Sequence, residues 1–370
     1  MRSISMLVTP VGGSSGGGRF VMQRDEVWQD GDLGLKEDGM KGAQKLFDTF
    51  TSYARAEKSF TYGWLRGQCR ELYRQLIPEA TRKILQDALG GLPADAHATL
   101  HIYSYPVFDN VPWELLHDGE EHLGLRFQVS RMPIVSSPPA PATQARTVAK
   151  IYHVLGRGVV DLTTDQQLFA DWLGTFGTIP ARSFPSSTDA PVWPTLDTIE
   201  EACTADVLHL TCHGQAAGAG WSLDQNGGDP SVIDATFVDD VRLSDGKPLV
   251  FANACSSAGG GASLQYGLAH KFISRGTMNL VGTFAPVTRT VAIQFGRAFY
   301  DRLFTPVDGE PPAIGEVLRR TKEEFHRAAT KQPAAPYDPS YLFYCLYGPG
   351  KNRFAVDSGV QPPDQEAGKP

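Results

Sequence analysis

Two apolar runs constrain this chain more than any other feature. VLHLTCHG (Val207–Gly214) and PLVFANAC (Pro248–Cys255) are short stretches of strand-forming residues, and each ends on a reactive side chain, His213 or Cys255. Near-continuous apolar runs of this length mark parallel strands buried on both faces, and open α/β sheets place their chemistry just beyond the carboxyl ends of such strands. A thiol and an imidazole delivered to one sheet edge form a nucleophile and its base.

The neighbouring sequence fits the same sheet. AKIYHVLG reads as a strand, DQQLFADWLGTFG and DTIEEACTA as helices, residues 263–274 as a helix, and NLVGTF as a strand. The helices AIQFGRAFYDRLF and IGEVLRRTKEEFHRAA follow, and YLFYCLYG is the last apolar block. Alternation of this length implies a mostly parallel sheet with helices on both faces. Residues 1–35 read as short strands, with a hairpin tip at Gly12–Gly18 and a tight turn at Asp30-Gly31-Asp32. Residues 42–90 turn helical, with a break at Pro78, and ATLHIYSY and LGLRFQVSRMPIV return to strand patterns. The Pro- and Ala-rich SSPPAPATQA divides the chain. The expected organisation is an N-terminal region over 1–135, a linker over 136–145, an α/β domain over 146–355 and a disordered tail over 356–370.

With 41% hydrophobic residues the 370-residue chain can bury a substantial core. A net charge of −7 argues against a broad basic surface for nucleic acid or anionic lipid. Five scattered cysteines do not form a disulfide framework, which points to a reducing compartment. The first residues lack a signal-peptide core, and no run reaches the length of a membrane span, so a cytoplasmic protein is expected.

A free thiol is mostly protonated near neutrality and needs help to attack an amide. His213 can take its proton or pair with the thiolate, and a helix starting soon after Cys255 adds the positive end of its dipole. The run Ser256–Gly261 has only small residues, which let backbone amides and substrate approach. The N–H groups of Gly214 and Cys255 are the natural oxyanion-hole donors, where one donor is worth about 3–4 kcal/mol. A lone His or Cys at a strand end is more often structural, but both at the ends of two such strands favour catalysis. A metal is not expected: strand alternation sets Cys212 opposite His209 and His213, and the chain has no paired CxxC and no HExxH. The glycines after Cys255 lack the lysine of a phosphate loop, so no cofactor is expected either. Cys69, Cys203 and Cys345 sit in apolar settings as core residues.

The chain resembles the CHAT family of caspase-like cysteine peptidases. Besides the two strings, NVPWELLHDGEEHLGLRFQVSR (Asn110–Arg131) is similar to the family's upstream block, a Pro-Trp-Glu-Leu-Leu run followed by a strand carrying an Arg. FVDDVRLSDGKPLVFANAC, GLAHKFISRGTMNLVGTFAPV, AFYDRL, EVLRRTKEEF and PSYLFYCLYG resemble the later blocks, down to Gly348, and the likeness covers roughly residues 96–355. The resemblance implies a caspase-type sheet with His213 as base and Cys255 as nucleophile, preceded by a degenerate pseudo-caspase half without a dyad. It also implies cleavage of a protein partner in a bacterial defence or cell-death response, such as a gasdermin or another effector encoded nearby, under a regulatory protein. Where many relatives have an acidic residue after the strand that follows the nucleophile helix, this chain reads FAPVTRT, so Asp224, Asp239 and Asp240 are the candidate acidic pocket residues. Two other readings keep the fold: a non-catalytic interaction module and a thiol-dependent acyltransferase.

Overall fold

The apolar runs become neighbours in one ten-stranded sheet. The computed structural model describes residues 2–10, 18–24, 27–33, 37–55, 60–90, 92, 97–105, 108–109, 111–134, 144–149, 151–155, 196–214, 220–223, 232–241, 243, 248–254, 267–331 and 337–356. The sheet order is β3 (Val27–Leu33), β2 (Gly18–Arg24), β1 (Ser3–Pro10), β4 (Ala98–Ser104), β5 (Phe127–Pro133), β14 (Tyr344–Tyr347), β13 (Asn279–Thr283), β12 (Leu249–Asn253), β8 (Val207–Thr211) and β7 (Ile151–Leu155). Six of its nine pairings are parallel. The exceptions are β1–β2, β2–β3 and β13–β14. Strands β1, β4, β5 and β14 therefore run one way, and β13, β12, β8 and β7 run the other. A three-stranded sheet joins β9 (His213–Gly214), β10 (Gly220–Ser222) and β11 (Val232–Asp234), and β6 (Arg146–Val148) pairs with β15 (Phe354–Val356).

Helices cover both faces. In the N-terminal half these are α1 (Glu37–Arg55), α2 (Tyr62–Leu76), α3 (Glu79–Leu89) and the single turn α4 (Leu123–Arg126). The later ones are α5 (Leu196–Ala202), α6 (Ala235–Asp240), α7 (Leu268–Ser274), α8 (Arg289–Leu303) and α9 (Ile314–Thr330). α8 buries Ala292, Phe295, Gly296, Phe299, Tyr300 and Leu303, the three-and-four spacing of an amphipathic helix. Its Phe295 ring stacks on Tyr344 at 3.9 Å, and fully burying a side chain of this size contributes about 2–3 kcal/mol. Successive strand residues face opposite ways. His209 and Asn253 reach α8, whereas Tyr152 on the other face of β7 reaches Glu201 of α5 at 3.1 Å.

One seam joins the N-terminal strands to the rest of the sheet: β14 lies parallel beside β5 with Tyr347 opposite Arg131, and the strand direction reverses at the next pair, β14–β13. Arg131 is 1% exposed and uses all five of its N–H donors. Nε and Nη2 bind the Glu114 carboxylate at 3.0 and 2.5 Å, Nη1 donates to Asp109 O at 2.8 Å and Tyr347 Oη at 3.5 Å, and Nη2 also donates to Val111 O at 3.1 Å. Burial alone would raise the Glu114 carboxyl, but the guanidinium against it outweighs burial and holds it below the usual range. The Pro-Trp-Glu-Leu-Leu block and the strand Arg are thus two ends of one buried ion pair. Gly348 completes the seam: its φ is +91°, its N–H donates to Arg131 O at 2.9 Å, and a Cβ there would lie 2.6 Å from Met278 O.

Several expectations change in detail. Asp30-Gly31-Asp32 is not a turn but lies inside β3, where Gly31 pairs with Phe20, so ladder formation overrides local turn preference. LGLRFQVSRMPIV begins with the helical turn α4 before it extends, and a 3₁₀ turn at Ser340–Phe343 precedes β14. The expected helix at 165–177, the linker at 136–143 and the tail from 357 lie outside the described residues. No helix among the described residues is long and apolar enough to cross a membrane.

Removing Arg131 leaves Glu114 buried and unpaired. Arg131→Met is expected to lower unfolding stability in urea by about 3–5 kcal/mol, and Glu114→Leu/Arg131→Met by less than that. A single variant within about 1 kcal/mol of wild type would contradict the seam's role.

Candidate active site

Pairing between β8 and β12 sets the geometry of the carboxyl edge. Thr211 lies opposite Asn253 in parallel register, and the next N–H, that of Cys212, still donates to Asn253 O at 3.4 Å. His213 and Cys255 each follow this last pair by two positions in sequence. From the other side of β12, Thr283 Oγ1 at the end of β13 donates to Ala254 O at 3.0 Å. The end of β12 is thus held by both flanking strands. Cys255 itself lies outside the described residues.

The apolar run was expected to stay in one strand up to His213, but β8 ends at Thr211. His213 and Gly214 form β9 instead and pair with Ser222 and Trp221 of β10. Trp221 is buried and stacks on Phe272 of α7, with centroids 5.2 Å apart and 14° between planes. The backbone at His213 and Gly214 is therefore anchored through β10 to α7.

Beneath this edge lies a buried polar layer. Asn253 Oδ1 accepts from Tyr344 Oη at 2.7 Å, while its Nδ2 donates to Ala292 O at 3.1 Å and faces His209 Nε2 at 3.5 Å. With Nε2 as acceptor, His209 carries its proton on Nδ1, which donates to Tyr300 Oη at 2.9 Å. The His153 ring meets His209 edge-on at 4.8 Å, and its Nε2 lies 3.2 Å from Thr211 Oγ1. Burial drives both imidazoles down, His153 to about 3 and His209 well below its ordinary value, with the neighbouring His153 adding to the effect on His209. Both rings are neutral at pH 7 and serve as hydrogen-bonding supports. His209 is committed to Tyr300 and Asn253 in this layer.

Of the acidic pocket candidates, Asp224 lies outside the described residues. Asp239 on α6 holds Lys271 Nζ of α7 at 2.6 Å and accepts Arg275 on its carbonyl, toward the second half of α7; Asp240 is exposed beside it. Cys69, Cys203, Cys212 and Cys345 are buried, and burial pushes the thiols of Cys69 and Cys345 up and that of Cys203 to about 12. Sequence reading missed Asn253 and Thr283. The available signal was one polar side chain interrupting PLVFANAC and one closing NLVGT.

Two outcomes follow from this layer. Asn253→Ala removes the hydrogen bonds from Tyr344 Oη and to the Ala292 carbonyl, which is expected to lower denaturant stability by about 1–3 kcal/mol. The unfolded chain protonates histidine near 6.5 while His153 holds out to about 3, so the folded state binds fewer protons between those values. The contribution of His153 is then full above pH 6.5 and falls steadily as pH drops toward 3, by about 1.4 kcal/mol per pH unit. Between pH 6 and 4.5 His153→Phe is expected to show a shallower fall in denaturation midpoint than wild type, and equal slopes would contradict the assignment.

Comparison with known proteins adds the family. A sequence profile described as the CHAT domain matches residues 66–341. A search of curated protein sequences found no match. Among solved structures, two of the Saccharomyces cerevisiae separase–securin complex align with TM-scores of 0.55 and 0.54 at 10% identity, covering 94% and 96% of this chain and 30% of that chain in each case. This chain thus spans less than a third of that chain's length. The Arg-specific cysteine proteinase gingipain R aligns with a TM-score of 0.52 at 10% identity, over 81% of this chain and 75% of that one. At such identity the likeness establishes the caspase-like α/β fold. Matched by its profile over most of its length, the chain belongs to the CHAT domain family.

Proposed function

We propose that this chain is a cysteine endopeptidase that cuts a protein partner through a Cys255–His213 dyad. The observation that carries the reading is the Thr211–Asn253 pairing, since each of the two residues follows it by two positions in sequence. His213 takes the thiol proton, and the Cys255 sulfur attacks the scissile carbonyl carbon. The N–H groups of Gly214 and Cys255 hold the resulting oxyanion. As the intermediate collapses, His213 gives its proton to the leaving amine and the new amino terminus departs. Water, deprotonated by the same imidazole, then attacks the thioester, the carboxylic acid product leaves and the thiol is restored. Neutral His209 and His153 lie below and leave His213 as the base at this edge.

A protein substrate accords with the family and with the fold shared with gingipain R and separase. The substrate class that the family resemblance implies is a bacterial gasdermin or another defence effector, in the cytoplasm. Asp224, Asp239 and Asp240 are the candidate pocket carboxylates of this reading, of which Asp239 also pairs with Lys271. The N-terminal half is a degenerate caspase-like unit. Supporting this is its parallel block β1–β4–β5, which runs opposite to the β13–β12–β8–β7 block within one sheet.

Iodoacetamide is expected to alkylate Cys255 at least about tenfold faster than Cys69, Cys203, Cys212 or Cys345, as followed by peptide mass spectrometry. His213→Ala is expected to remove most of that advantage. Cys255→Ala and His213→Ala should each abolish cleavage of a co-purified protein substrate while far-UV circular dichroism is unchanged. A Cys255 no more reactive than the four buried thiols would leave a non-catalytic interaction module.

A further inference from the structure

The helix that follows the nucleophile segment is held from two directions. On one side of α7, Phe272 stacks on Trp221, whose strand pairs with His213 and Gly214. Two residues earlier, about 200° around the helix, His270 is only 4% exposed at its side chain and faces the N-terminal half. Its Nε2 lies 3.0 Å from Asp109 Oδ1 and 2.9 Å from Oδ2, and its ring meets Tyr347 edge-on at 5.9 Å. Asp109 is fully buried, 161 residues away in sequence, and its own carbonyl accepts from Arg131. A continuous chain of contacts therefore runs from the Glu114–Arg131 pair through Asp109 and His270 into α7, and from α7 to the histidine-bearing strand.

The energetics give this contact a meaning beyond adhesion. Burying a carboxylate against an imidazole costs desolvation that its attraction barely offsets, and a well-packed apolar pair of the same size would hold the halves together at least as firmly. What a buried polar pair adds is direction: one donor and one acceptor fix the rotation and height of a helix, which greasy packing leaves loose. α7 has only seven residues, so a small displacement at His270 reaches both the start of the helix and Trp221.

We propose that Asp109 is a positioning residue for the catalytic site, and that its contact with His270 is the route by which the N-terminal half controls that site. This inference rests on the peptidase reading above. With the contact made, α7 holds β9–β10 and the nucleophile segment in register. With it broken, the molecule stays folded while the thiol and its base lose alignment. A regulatory protein that displaces the Phe108–Leu115 segment would switch the enzyme off, and one that secures it would switch it on.

The test compares the rate of Cys255 alkylation by iodoacetamide in the full chain at pH 7 and 20 °C, well below unfolding. Asp109→Ala is expected to slow alkylation about tenfold or more, the scale of effect that a small misplacement of a catalytic group produces. Asp109→Asn, which keeps an acceptor at the same place, should restore most of the rate. Leu65→Ala in α2 provides a control whose stability loss is comparable and whose alkylation rate is unchanged. If Asp109→Ala does not fold, His270→Leu replaces it. In a cycle with both changes, the double variant should be no slower than the slower single one. Wild-type alkylation rates in Asp109→Ala or His270→Leu would overturn the proposal while leaving the peptidase reading intact. A slowing in Leu65→Ala equal to that in Asp109→Ala would also overturn it, by showing loss of stability alone as the cause. A wild-type Cys255 that reacts no faster than the buried thiols would overturn both.

Discussion

The Arg131–Glu114 pair at the β5–β14 seam is the constraint on which the rest of the molecule depends. Without it the N-terminal strands and the C-terminal part of the sheet would meet along the short parallel β5–β14 edge with little to fix their register. β14 pairs antiparallel with β13 on one side and parallel with β5 on the other, so an error of one residue at Tyr347 would move its whole inward set to the wrong face. Arg131 prevents this by binding, at once, the carboxylate of Glu114, two carbonyls of the segment before it and the Tyr347 hydroxyl. Asn279 supports the same junction from β13, donating to Tyr347 O and Pro349 O and accepting from Asn352. Geometry here is bought with desolvation, which is why the pair is fully hydrogen-bonded.

From that seam the carboxyl edge inherits its order. β13 is fixed by β14, β12 by β13 and β8 by β12, so the last pairing, Thr211 with Asn253, is located by a series of ladders that starts at Arg131. Each strand of the series also sends one polar side chain into the layer beneath the edge: Tyr344, Thr283, Asn253 and His209. A layer whose polar atoms find partners can be buried without penalty and resists shear better than an apolar one. The two histidines in it are kept neutral by burial, so the layer brings no charge to compete with chemistry above it.

The apolar runs made the parallel sheet legible before any coordinates, because burial on both faces leaves no freedom in composition. The helices α8 and α9 were legible for the related reason that their buried residues recur at three and four. What pattern could not supply was partnership. VLHLTCHG reads as one strand, yet the last two residues leave for a different sheet because β10 offers them a ladder and Trp221 offers an anchor on Phe272. Asp30-Gly31-Asp32 has turn chemistry and is a strand for the same reason. Nor does the pattern show that Asp239 pairs with Lys271, 32 positions away. Glu114 and Arg131 stood out only as parts of a family block. Their ion pair, and the Asp109–His270 contact beside it, are properties of the folded chain alone.

The central claim is spatial, that the sulfur of Cys255 and the imidazole of His213 share one cleft above the Thr211–Asn253 pair. A crystal structure of the protein with a peptide-derived electrophile bound to the thiol measures this directly. The account predicts the Cys255 Sγ and the nearer His213 ring nitrogen on the same side of the edge, within about 4 Å or bridged by a single water. Side chains on opposite faces of the sheet, or kept apart by packed core, would contradict it.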